Sequence, residues 1–74
     1  MTTDEVKKLI EAGIEGATAT VTDLTGTGDH FKADVIAPAF AGISAIKQHK
    51  LVYAALENEM KGPIHALQLS TRAP

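Results

Sequence analysis

The residues able to do chemistry in this chain are few, and imidazoles lead them: His30, His49 and His65. There is no cysteine, which excludes disulfides, thiol catalysis and any iron–sulfur or zinc site built on the chain's own thiolates. His30 follows Asp29 in a glycine-rich stretch, and His65 follows Gly62-Pro63. Two imidazoles suit iron, zinc or copper, yet they are too few to close a structural zinc site. If they act together, a partner must supply the remaining ligands. The plainer reading makes His65 a hydrogen-bonded histidine at a strand end and His30 a polar loop residue.

Other groups offer less. Lys47, His49 and Lys50 form a basic cluster that suits phosphate or a partner surface, and equally suits the solvated face of a helix. Gly26 and Gly28 complete neither the dinucleotide nor the P-loop pattern, since a strand follows them where a helix is required. Ser44 has no adjacent base. Asp4-Glu5 and the Glu57/Glu59 pair read as helix-start and surface charge, with no acid–base couple. Nothing here points to an enzyme.

The elements that must position the histidines can be read from spacing. Thr2-Thr-Asp-Glu5 has capping-box form, and Val6, Leu9 and Ile10 follow at helical intervals, which predicts a helix from about Thr3 to Ala12. From Ala17 the period becomes two: Ala17, Ala19 and Val21 alternate with threonines, a half-buried strand. Phe31, Ala33 and Val35 repeat this in a second strand, which should end at Pro38 because proline donates nothing to a ladder. The loop Thr25–His30 joins the two strands as a hairpin. Gly42 and Ser44, a turn and an N-cap, open a helical run to about Met60. Its buried face should hold Ile46, Leu51, Val52, Ala55, Leu56 and Met60. After Gly62-Pro63, residues Ile64–Ser70 read as a third strand, with His65, Leu67 and Leu69 inward and Thr71–Pro74 frayed.

These elements predict one small α+β domain spanning residues 1–74. Their order is α-β-β-α(α)-β, with helices on one face of a three-stranded mixed sheet. If the helical run makes one net crossover, the third strand lies parallel to the second, and both begin at the same rim. That brings His30 and His65 to one end of the domain. A 45% hydrophobic fraction with 22% charged residues supports a globular core. The net charge of -2 gives no general attraction for nucleic acid, and the only aromatics, Phe31, Phe40 and Tyr53, make a poor base-stacking platform. No apolar run approaches a membrane span and the first residues lack a signal-peptide layout, so a cytoplasmic protein is expected.

Phe40-x-Gly42-x-Ser44-x-x-Lys47-x-His49-x-x-Val52-Tyr53, followed by Ile64-His65-Ala66-Leu67, resembles the signature of the BolA-like proteins. Gly28-Asp29-His30-Phe31 is similar to that family's metal loop in its histidine form. The resemblance implies a fold like that of class II KH domains, without KH-style RNA binding because the Gly-x-x-Gly loop is absent. It implies partnership with a monothiol glutaredoxin and a shared [2Fe-2S] cluster. In that arrangement His65 and His30 are metal ligands, and the partner's cysteine and a glutathione thiol complete the set. None is bound by the isolated chain. The resemblance also carries a secondary role in DNA binding and transcription regulation, through the region containing Lys47, His49 and Lys50. The family's usual C-terminal helix is lacking after Pro74.

Overall fold

A computed structural model describes residues 1–74. The order is α1 (Thr3–Gly13), β1 (Thr18–Asp23), β2 (His30–Ile36), a 3-10 turn (Pro38–Phe40), α2 (Ala45–Ala55), α3 (Glu57–Met60) and β3 (Ala66–Arg72). The sheet runs β1-β2-β3, with β1 antiparallel and β3 parallel to β2. It is therefore the expected small α+β fold with a mixed sheet.

The two long helices, α1 and α2, start where a side chain can satisfy a free N–H group. Thr2 Oγ1 accepts from Glu5 N and Glu5 Oε1 accepts from Thr2 N, closing the capping box of α1. Those hydrogen bonds hold the Glu5 carboxyl below its ordinary range. Ser44 caps α2 by accepting from Lys47 N, and Gln48 Nε2 reaches back to the Phe40 and Ile43 carbonyls. Gly13 is required by packing, since a Cβ there would stand 2.6 Å from the Ala55 Cβ.

One apolar cluster joins helices and sheet. Phe31, Ala33 and Val35 of β2 are buried in the centre, flanked by Ala19 on β1 and by the half-buried Leu67 and Leu69 on β3. Val6 and Ile10 of α1, with Val52 and Leu56, close it from above. The opposite sheet face is polar: Thr20, Asp34 and Ser70 share one row, Thr22, Lys32 and Gln68 the next.

Four expectations need correction. The helical run is broken at Leu56, whose backbone leaves helical geometry and whose N–H is shared between the Val52 and Tyr53 carbonyls. Because α3 is only one turn, the net crossover survives and β3 stays parallel. Ile46 and Leu51 are exposed, at 70% and 40%. At about 100° per residue, Ile46 lies about 120° and Leu51 about 100° around the helix from Val52, so they cannot share its face. β3 begins two residues late and takes in Thr71 and Arg72, which are paired with β2 and not frayed. Finally, His65 is exposed, because it precedes the strand and Ile64 fills the buried position instead.

Candidate functional site

The rim where β2 and β3 both begin is built by one loop. Asp23, the last residue of β1, accepts at Oδ1 from Thr25 N (3.2 Å) and Gly26 N (2.9 Å), and at Oδ2 from Gly28 N (2.9 Å). A short polar side chain bonding the backbone just ahead of it is the turn-forming habit of aspartate. Gly28 has φ +75°, and a Cβ on it would come 2.8 Å from the Met1 carbonyl oxygen. Both the left-handed backbone and the close approach require glycine there. The Met1 amino group donates to the Gly28 carbonyl at 2.8 Å, and Leu24 N donates to the His30 carbonyl at 2.8 Å, closing the loop.

Asp29 then ties the two histidines together. Its side chain stands 2.8 Å from His30 Nδ1, while its carbonyl accepts from His65 N at 2.7 Å and Ala66 N at 3.2 Å. The imidazole rings come to rest with centroids 5.2 Å apart and planes tilted by 44°. A Thr27 hydroxyl bond first, and the His30 contact second, hold the Asp29 carboxyl below its ordinary range. As a carboxylate it can accept from an Nδ1–H of His30, and in that tautomer of the neutral ring the lone pair available to a metal is on Nε2.

The pair suits a metal held from outside. Two imidazoles on one tetrahedral ion bring their ligating nitrogens to about 3.4 Å, and these two rings are close enough in centroid distance to be compared with that spacing. The His30 side chain is 35% exposed, and His65 is exposed. No group of three or more His, Cys, Asp or Glu side chains is placed to hold a metal. A metal held by these two rings would need its other ligands from outside the chain.

His49 does not join this rim. β2 ends at Ile36, at the opposite end from the rim, and the chain passes through the 3-10 turn before α2 begins at Ala45. Lys47 and Lys50 are exposed on α2 beside Ile46, Leu51 and Tyr53, and His49 is half-buried. Spacing alone did not single out Asp23, although an aspartate two residues before Thr25-Gly26 is a readable turn signal.

Comparison with known proteins agrees with this architecture. A family described as BolA-like protein matches residues 10–74. BolA-like protein 1 of Bos taurus is 43% identical over 49 residues, covering 66% of this chain and 36% of the bovine protein. The chain thus spans about a third of that relative's length. The structure of a BolA protein homologue from Coxiella burnetii is 40% identical and superposes with a TM-score of 0.87, covering 100% of this chain and 92% of that one. The BolA domain of SufE1 from Arabidopsis thaliana is 27% identical with a TM-score of 0.83, covering 97% and 91%. With fold, signature and match in accord over most of its length, this chain belongs to the BolA-like family.

Proposed function

We propose that this protein is a non-enzymatic accessory protein for iron–sulfur clusters, binding a monothiol glutaredoxin and sharing a [2Fe-2S] cargo with it. His65 and His30 supply two imidazoles; the glutaredoxin cysteine and a glutathione thiol supply the other ligands. The observation that carries the reading is the 5.2 Å approach of two accessible rings, joined through Asp29, in a chain with no thiol of its own. Two histidines on one iron of a [2Fe-2S] centre raise its potential above that of all-thiolate clusters. The occurrence of a BolA domain inside a SufE-like protein supports an accessory role.

The test is direct. Adding the purified chain to cluster-loaded glutaredoxin with glutathione should change the visible absorption and circular dichroism and yield a heterodimer on gel filtration. An unchanged spectrum with no complex would remove the proposal.

A second reading, DNA binding with transcription control, draws on the exposed Lys47 and Lys50, which no acidic residue accompanies on α2. It ranks lower because the chain is acidic overall. Its mark would be a salt-dependent affinity for duplex DNA.

A further inference from the structure

The two edges of the sheet are built differently. On β1, Lys7 Nζ donates to the Ala19 carbonyl and Ala19 N donates to Glu11 Oε2, each at 3.0 Å, so side chains of α1 occupy both outward backbone groups of Ala19 and block a strand from pairing there. Nothing comparable guards β3. Ala66 N bonds the Asp29 carbonyl and Ala37 N bonds the Arg72 carbonyl, which fixes the phase of the β2–β3 ladder. Ala66, Gln68, Ser70 and Arg72 therefore bond inward to β2, while Leu67, Leu69 and Thr71 turn N–H and C=O outward. Exposed edges are normally blunted by central charges, proline, bulges or shortness. β3 runs seven residues in unbroken register, and its only charge, Arg72, is the last of them.

We propose that this edge pairs with β3 of a second copy of the chain, antiparallel about a two-fold axis at Leu69, merging two sheets into one. That register sets Leu69 against its counterpart and Leu67 against Thr71, so all the outward-turned residues meet and each pair exchanges both backbone bonds. Leu67 and Leu69 are half-buried at the margin of the core, and the pairing continues that apolar layer across the seam. On the polar face Gln68 meets Ser70 and Ala66 meets Arg72, so no like charges oppose. This self-complementarity, in a strand that carries almost no charge, selects a second copy over an acidic or basic partner. A two-fold contact closes on itself and stops at the dimer. The proposal does not rest on the cluster reading: His65 lies beyond the strand, so the two histidine rims sit at opposite ends of the seam.

Light scattering from micromolar to millimolar chain, with amide hydrogen exchange, tests it. The mass should rise toward that of a dimer, and the Leu67, Leu69 and Thr71 amides should become protected as it does. Gln68 and Ser70 are exposed, so the Q68K/S70K double variant should remain folded by circular dichroism. It would set lysines against lysines and weaken self-association roughly tenfold. Q68K/S70E sets lysine against glutamate and should restore it. A monomeric mass throughout, with those amides always exchanging freely, would overturn the proposal. So would a dimer indifferent to Q68K/S70K, which would have to form elsewhere.

Discussion

The histidine rim and the exposed face of α2 both gather groups that could bind a ligand, but only at the rim does a side-chain hydrogen bond orient one of them. His65 is fixed through its backbone N–H, His30 through Nδ1, and the residue serving both, Asp29, sits in a loop that Asp23 organises with three N–H acceptances. Lys47, His49 and Lys50 sit on a well-capped helix, yet no hydrogen bond or ion pair sets the direction of their side chains. Long flexible cations on a helix surface are what solvation alone produces. A pair of rings brought together from positions 30 and 65 requires the whole topology, whereas a run of cations on one helix requires only local sequence.

The largest effect should come from His65→Ala. Removing this imidazole should abolish the shared cluster spectrum with glutaredoxin while leaving the fold intact, because the side chain is exposed. His30→Ala should leave a weakened cluster, since Asp29 or solvent can take the vacated position. Spectra of both variants in the presence of glutathione decide the order. Equal and negligible losses would erase the contrast between rim and helix.

Asp23→Ala touches neither ring and should still matter. It frees three loop N–H groups and should cost about 1–2 kcal/mol in denaturant unfolding, comparable to loss of a helix cap. Cluster retention should fall partway toward that of His30→Ala, because His30 loses its fixed approach. If stability drops and retention does not, the loop is scaffold only.

How far the sequence foretells these features follows from the range of the forces involved. Capping at Thr2 and Ser44, alternation through Ala19 to Val35, and the strand stop at Pro38 are set by neighbours in sequence, and the structure follows them. The approach of His30 to His65 follows from one topological step, the net crossover. What spacing could not reveal is set by tertiary contact. The α2 run is apolar around much of its circumference, so only packing against α1 and the sheet decides that Val52 and Leu56 are buried while Ile46 and Leu51 are not. The same holds for β3, whose phase is fixed by pairing with β2. Ile64 takes the buried position, and His65 is left in solvent.

A smaller effect concerns acid. The Asp29 carboxyl is held below its ordinary value of 3.8, first by the Thr27 hydroxyl and then by His30. A carboxyl whose folded pKa is depressed stabilises the native state above its unfolded pKa, and that contribution disappears as pH falls through the lower folded value. The rim should therefore keep the contacts of the Asp29 carboxylate throughout the neutral range and give them up only below pH 3.8, while the bonds to its carbonyl remain. Carboxyl carbon shifts should titrate with a lower midpoint for Asp29 than for a free aspartate. A midpoint at or above that of the free residue would mean that the carboxylate does not hold His30.

The smallest effect belongs to the helix. Lys47 and Lys50 are exposed and make no ion pair, so a Lys47→Ala/Lys50→Ala double variant should shift stability by no more than about 0.5 kcal/mol. The cluster spectrum with glutaredoxin should be unchanged. The comparison is sharpened by measuring duplex DNA affinity against salt for the same variant. Were these lysines bound to phosphates, neutralising both would lower the magnitude of the log–log salt slope by about 1.8, roughly 0.9 for each phosphate left unneutralised. A flat and feeble response in both proteins leaves α2 as a solvated surface. A steep wild-type slope that collapses in the variant would instead make the helix the working surface.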